Sequence, residues 1–499
     1  MSESVKFDSQ ALFYMIRKTK LYIKTSKKTW DVFDQCADFF RNHFVCLSSM
    51  FLGVIYVSQM VAFYPGLPNG DNIGQLAQAF GVENYNNHHP VLHTWFLGLC
   101  MRIGRIIYND NFGLFMYVIA QNLFLLAVAV YALHYLLEKG LRIRYIVLLL
   151  LYYGLHPILL NYSLCIIKDT WYTGFLTLLL VLTHRYVINN GEHKNLSGII
   201  ICMLFMMLLR NDGIYMSILF CGMMILSKNR NLRTAFCKVF VELIFCFVVW
   251  HSLILPAMSV KEGSGREMLS LPFQQTARYV KEYPSEVTEE EKSSINSILQ
   301  YDQLAERYDP VNADPVKITF KEQSSSADMR AYLKSWMEMF IKHPATCFQA
   351  TWDNKDEFFL PKGAMSFSSV SDAEMIMQRI EREVSGGNIH LSFLNQMSGL
   401  REYLEKIRTF LGKYTVFLFL RIPCLYIWSM CVWSIYSLIR RDHVSFILCI
   451  PFLINLLINI AGPMNGSYTR YMYLYIYALP IAIALGNLMG DQNALNIKK

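Results

Sequence analysis

Residues 90–107 read PVLHTWFLGLCMRIGRII, an apolar run that follows directly on NNHH at 86–89. About 20 mostly apolar residues cross a bilayer as a helix. This run therefore stands between a span and a helix lying on the membrane surface, and the choice flips the side of every later loop. Loop charge decides, because short cytoplasmic loops carry the excess of Lys and Arg. If 90–107 does not cross, the basic clusters all share one face. They are Arg17, Lys18, Lys20, Lys24, Lys27 and Lys28; Lys139, Arg142 and Arg144; Arg185 and Lys194; Lys228, Arg230, Arg233 and Lys238; Arg440 and Arg441; and Lys498 and Lys499. If it crosses, every cluster after the first lies on the other side. The sequence thus predicts a juxtamembrane helix on the outer face and a cytoplasmic N-terminus.

Composition sets the class. Of 499 residues, 54% are hydrophobic and 17% charged, against about 25% charged in soluble domains. An all-α integral membrane protein of the cell membrane is expected, and nucleic acid is not an expected partner. Apolar runs near 42–63, 113–137, 143–162, 171–189, 196–209, 213–227, 235–257, 413–439, 443–462 and 470–488 predict about ten transmembrane helices. The N-terminus lacks an apolar core followed by a small-residue cleavage site, so the first span is expected to be an uncleaved anchor.

Five regions follow: a basic cytoplasmic segment (1–40), a transmembrane module (41–257) with an outer loop at 64–111, an extracytoplasmic domain (258–412), C-terminal spans (413–490) and a cytoplasmic tail (491–499). The 258–412 segment holds 18 Lys and Arg against 23 Asp and Glu, a net of −5, which leaves +13 for the remainder. A basic inner face suits anionic lipid. Thr288 to Glu291 matches a helix-starting capping box, and a helix is expected from Ser326 to Lys342, ending at His343-Pro344. The outer domain is therefore mostly helical. Its single cysteine, Cys347, leaves it without an internal disulfide or a Cys-based zinc site. Most other cysteines stand in or beside apolar segments, where a thiol acts as a small hydrophobe.

On this topology the unusual polar residues collect on the outer face. The first loop, YPGLPNGDNIGQLAQAFGVENYNNHHP, carries no Lys or Arg. DNIGQLAQAF predicts a short helix that holds Asp71 and Gln75. Asp71 is either only its N-cap or a general base presented at the membrane surface. Lys168-Asp169, Arg210-Asn211-Asp212 and Arg470 place cations on the side that the charge bias disfavours. Each has a local explanation, as an ion pair or a snorkelling side chain; together Lys168, Arg210 and Arg470 suggest an anion site for a lipid phosphate. His89 and His93 stand four residues apart, a zinc-compatible spacing, yet no acidic third ligand has a recognisable spacing, so no metal site is assigned. Either Asn87 or His88 caps the 90–107 helix, with Pro90 in its first turn, or His88, His89 and His93 bind substrate or Asp71.

This order of features resembles the GT-C membrane glycosyltransferases, among them the protein O-mannosyltransferases and the aminoarabinose transferase of lipid A. Those enzymes carry an acidic motif in the first outer loop, His-Pro-Pro or Lys-Pro-Pro before a juxtamembrane helix, and an acid in the second outer loop. Asp71, His89-Pro90 and Asp169 occupy these places, and TRYMYLYIYALP (469–480) is similar to the Arg-Tyr start of a late helix in that superfamily. The layout matches best over residues 41–230. YPGLPNGDNIGQ, NNHHPVLHTW, IKDTWY, LRNDGIY, SLPFQQTARYVKEY and HPATCFQATWDN together resemble a family of multi-pass proteins of Gram-positive bacteria that has no defined activity. Two departures stand out: Asp71 is followed by Asn72, where the superfamily often pairs two acids, and His-Pro-Val replaces His-Pro-Pro. The first favours a lone base over metal coordination.

The resemblance implies a GT-C-like arrangement of helices and an inverting transfer. The donor would be a sugar on polyprenyl phosphate, and the acceptor a glycan, lipid or protein of the cell envelope. Asp71 would activate the acceptor hydroxyl, and Lys168, Arg210 and Arg470 would neutralise the leaving phosphate. His89 and His93 would position the substrates, and Asp169 would orient Lys168 or bind sugar hydroxyls. Gln275 and Arg278, at i and i+3 on a predicted helix, would line the acceptor cleft. No cofactor is assigned; a divalent cation stays open. Two rivals are a transporter or flippase of lipid-linked saccharides, expected to show an inverted repeat and charges along a central path, and a non-catalytic membrane scaffold.

Overall fold

The computed structural model describes residues 38–189, 193–263, 265–384, 388–414, 416–462 and 468–496; the basic cluster at 17–28 and Lys498–Lys499 lie outside them. Every regular element among these residues is a helix. The first group comprises α1 (Phe44–Ala62), α2 (Asp71–Ala79), α3 (Val91–Ile107), α4 (Asp110–Glu138), α5 (Ile143–Leu155), α6 (Pro157–Tyr162), α7 (Lys168–Ile188), α8 (His193–Leu209), α9 (Gly213–Ile225) and α10 (Arg230–Val249). The second comprises α11 (Ser270–Glu282), α12 (Glu289–Ile298), α13 (Tyr301–Arg307), α14 (Asp314–Lys317), α15 (Ser326–Lys342) and α16 (Pro344–Lys355). The chain ends in α17 (Val370–Val384), α18 (Ser398–Tyr414), α19 (Pro423–Ile439), α20 (His443–Ala461) and α21 (Thr469–Asn496).

Among the described residues, five stretches are long and apolar enough to cross a membrane: Phe44–Ala62, Asp110–Glu138, Arg230–Ala257, His443–Ala461 and Thr469–Leu488. The protein is therefore an all-α, multi-pass membrane protein. Ile143–Leu155, Asn195–Leu209, Gly213–Ile225 and Pro423–Ile439 are apolar but shorter. Prolines account for two of the five sequence runs that do not yield such a stretch. The 143–162 run breaks at His156-Pro157, since proline disfavours helical geometry in the residue before it, and two helices result. The 413–439 run breaks likewise before Pro423, after a 3₁₀ turn at Val416–Arg421. Arg421 secures that break by donating to the carbonyls of Met365 and Gly412. Ahead of Pro256, α10 widens into a π-helical turn at Trp250–Ile254.

Helix α7 is long enough to cross but less apolar, because one face carries Thr170, Thr173, Thr177, Thr183 and His184, all buried. It packs against α4, α8 and α21 at the centre of the bundle. The helix of the opening stretch, α3, lies against α4 at a close crossing: a Cβ on Gly104 would stand 2.2 Å from the Cα of Gly113. Small residues at such crossings let backbones approach, which matters where lipid provides no hydrophobic drive for association. Pro90 occupies the N-cap position of α3, and no side chain caps it; neither Asn87 nor His88 takes the expected capping role.

The 258–412 segment divides its packing between two cores. Helices α11 to α15 enclose one of their own, around Phe273, Ile295, Leu299, Tyr332 and Met339. From Phe358 onward the chain joins the core of the helical bundle, where Ile376, Met377 and Ile380 of α17 are buried and α17 packs on α2. The capping box at Thr288 and Glu291 forms as expected. The expected helix from Ser326 to Lys342 also forms, opened by a second box of Ser325 and Asp328.

Candidate active site

Two loops far apart in sequence are laid side by side. After α1 the chain turns at Gly66 (φ +126°), where a Cβ would lie 2.6 Å from Val118 Cγ2, so glycine is required. Leu67 N–H then donates to Leu164 O (3.0 Å), and Ile166 N–H donates to Leu67 O (3.1 Å). The side-chain amides of Asn69 and Asn72 both donate to Ile166 O, at 2.8 and 3.0 Å. On the other side, Gln121 of α4 donates to the carbonyls of Tyr162, Ser163 and Cys165, and Asn122 donates to Ser163. These bonds satisfy backbone that cannot go unpaired in an apolar setting. They also bring the start of α2 against the start of α7.

The result is a chain of alternating charges. Asp71 Oδ2 lies 3.5 Å from Lys168 Nζ, 3.4 Å from Arg470 Nη1 and 3.8 Å from His89 Nδ1. Arg470 continues to Asp169, with Nε 3.7 Å from Oδ2. Arg210 Nη1 donates to Asp169 Oδ1, while Arg210 Nε and Nη2 grip Asp212 at 2.8 and 2.7 Å. The order is Lys168, Asp71, Arg470, Asp169, Arg210, Asp212. Three cations meet three carboxylates, so Lys168, Arg210 and Arg470, which the sequence suggested as an anion site, stand in a balanced network. Burial explains this: an unpaired charge away from water costs several kcal/mol.

The network is open at one end. Asp71 and Arg470 keep 24% and 26% of their side-chain surface exposed, whereas Asp169 keeps 2%. Burial alone would raise the Asp71 pKa, but Arg470, Lys168 and His89 outweigh it and hold the carboxyl well below the usual carboxylate range. His89 is pushed down to about 3, first by burial and then by Lys168, against the pull of Asp71. It is a neutral imidazole whose Nδ1 also lies 3.4 Å from Lys168 Nζ.

Several predicted site residues have other employment. Asp71 begins α2 but does not cap it; its own N–H donates to Asn69 Oδ1 (2.8 Å), and its carboxylate points to the cations. Asp169 pairs with Arg210 and Arg470 and makes no bond to Lys168, so it does not orient that lysine directly. His93 is buried with both ring nitrogens engaged, Nδ1 with Gln75 and Nε2 with Tyr117 OH, each at 2.7 Å. His93 and Gln75 therefore act as internal struts between α2, α3 and α4. His88 meets His89 edge-on, ring centroids 4.7 Å apart. Asn211 donates to Asn87 O (2.9 Å) and His88 O, tying the 210–212 turn to the histidine loop. Lys261 exchanges backbone bonds with Tyr85 and Asn87 across the same loop. Gln275 and Arg278 lie within the outer domain: Gln275 bonds Thr351 and Trp336, and Arg278 pairs with Glu282 and Asp353.

Asn69, Gln121 and Tyr117 complete the site and were not singled out in the sequence, where Asp212 and Asn72 stood out only as neighbours of Arg210 and Asp71. Gln121-Asn122 had a signal, two adjacent amides inside an apolar run. Among the described residues, no three His, Cys, Asp or Glu side chains converge as metal ligands would.

No curated protein and no solved structure matches the chain. One family model, described as a family of unknown function (DUF6020), matches residues 83–492. That range includes His89, Lys168, Asp169, Arg210, Asp212 and Arg470; Asp71 precedes it. With most of its length matched, the chain belongs to the DUF6020 family.

Proposed function

We propose that this protein is a membrane glycosyltransferase, moving a sugar from a polyprenyl-phosphate donor to a cell-envelope acceptor at the outer face of the membrane. One observation carries the reading: Asp71 sits at the open end of a charge network with two cations within 3.5 Å, beside apolar helices of membrane-crossing length. A lipid phosphate competes with Asp71 for Lys168 and Arg470. As those cations turn to the phosphate, Asp71 loses the charges that keep it acidic and becomes a better base.

The acceptor oxygen attacks the anomeric carbon as its proton passes to Asp71. The bond from that carbon to the phosphate oxygen breaks, and polyprenyl phosphate leaves with the electron pair, its new charge met by Lys168 and Arg470. The buried pair of Arg210 with Asp169 and Asp212 anchors Arg470 from behind. Neutral His89, near both Asp71 and Lys168, offers a hydrogen bond to a sugar hydroxyl. The decisive comparison is cell-envelope glycan composition in cells that carry Asp71→Asn at normal protein level. Loss of one glycan decoration, matched by Lys168→Met, supports the transfer; an unchanged envelope overturns it.

A further inference from the structure

Helix α18 has three faces. Arg401, Arg408 and Gly412 form one, all buried against the protein. Arg401 reaches Ala62 O (3.4 Å) at the end of α1, and Arg408 reaches Gln59 Oε1 (3.2 Å) one turn earlier and covers the ring of Phe63 at 4.8 Å. The second face is polar and open: Glu402 pairs with Lys406 at 2.7 Å, and Thr409 and Lys413 are exposed beside them. The third is apolar and open. Tyr403 is 62% exposed, Phe410 58% and Tyr414 66%, and Leu400 joins the same stripe.

A helix at a protein–water boundary turns its apolar side inward. This helix turns its arginines inward and its aromatics outward, so the third face has an apolar environment beyond the chain. That environment is given by the neighbour: α1 is a candidate span whose Val54, Val57 and Val61 are exposed, and α18 packs its arginine face against the Ala62 end of that span, which leaves the stripe facing away from the protein. Tyrosine is favoured where acyl chains meet headgroups, and lysines beside such a stripe reach past it to water.

We propose that α18 lies in the plane of the membrane surface at the Ala62 end of α1, with Leu400, Tyr403, Phe410 and Tyr414 seated in the lipid interface. The membrane is thus the partner of this face, and α18 fixes the depth at which the 63–71 segment leaves the bilayer. The inference does not rest on the glycosyltransferase reading.

The test uses the full chain in vesicles of phosphatidylcholine with a minority of phosphatidylglycerol. A nitroxide is attached through a keto-phenylalanine at one position at a time, which avoids the native cysteines. Collision with oxygen should exceed collision with a water-soluble nickel chelate at 400, 403, 410 and 414, and the order should invert at 402, 406, 409 and 413. Nickel access dominating at all eight positions would place α18 in water and overturn the proposal. Protection from both reagents along the apolar stripe would mean that protein, such as a second copy, covers it, which also overturns it. All eight positions are exposed, so the labels leave the core intact.

Discussion

Asp71 and Asp169, one at the start of α2 and the other in the first turn of α7, are joined through a single guanidinium: Arg470 reaches the first through Nη1 (3.4 Å) and the second through Nε (3.7 Å). Arginine suits this position because its planar fork addresses two partners at once. The C-terminal helix α21 is thereby fastened to both loops of the site. Arg470→Gln should destabilise the protein by about 3 kcal/mol, as loss of one partner leaves buried charge uncompensated. Arg470→Lys should recover charge but only one of the two contacts. Melting midpoints in detergent check this; equal midpoints for native protein and both variants would mean that Arg470 is not the tie between the loops.

The neutral His89 has a pH consequence. An ordinary histidine titrates near 6.5, whereas His89 in the fold is held at about 3. Between those values the unfolded chain binds a proton that the native state refuses, so stability falls as pH is lowered from about 6.5 towards about 3, by at most about 1.4 kcal/mol per pH unit. Above pH 6.5 this group contributes no slope. In His89→Gln, which cannot titrate there, the difference in melting midpoint between pH ~4.5 and pH ~7.5 should shrink. A slope as steep as that of native protein would show that His89 accepts a proton in the fold, most directly through Asp71.

The α3–α4 crossing gives a purely steric prediction. A methyl group on Gly104 would meet Gly113 Cα at 2.2 Å, and backbone on a packed helix cannot yield as a flexible side chain would. Gly104→Ala should lower stability by at least about 1–3 kcal/mol, the usual cost of overpacking. By contrast, a Cβ on Gly53 of α1 meets nothing within 4 Å, and Gly53→Ala should be neutral or stabilising. Comparable losses for both would mean that helix propensity, not the crossing, governs the response.

Much of this arrangement was legible in the sequence, for reasons that differ from residue to residue. Apolar runs marked the helices because the bilayer demands length and composition together. Asp71, Lys168, Asp169, Arg210 and Arg470 stood out because charges beside apolar helices are costly and so have partners. The sequence did not tell that the partners were one another: the pairing of Leu67 with Cys165 is a long-range backbone contact without a local pattern. His93 and Gln75 looked like site residues because polar groups at a membrane surface suggest function. Their mutual bond becomes visible only when α2 folds back on α3. Gln275 and Arg278 misled through amphipathic spacing, which marks a buried face as readily as an exposed one.

The Lys168–Asp71 pair tests whether the network acts as a unit. Lys168 is mostly buried, and Asp71 is its closest carboxylate, at 3.5 Å. Lys168→Met removes a cation and leaves Asp71 with Arg470; Asp71→Asn removes the carboxylate and leaves Lys168 and Arg470 facing each other. Each single change strands charge, whereas the double variant removes one of each sign and restores balance. The double variant should therefore lose less stability than the two singles combined, by about 0.5–3 kcal/mol, the range for residues in one ion-pair network. The same cycle read by glycan analysis should show no such recovery, because the proposed transfer would need both Asp71 as base and Lys168 as cation even when the fold does not. Recovery of the glycan in the double variant would separate the network from the chemistry and leave Asp71 a structural carboxylate.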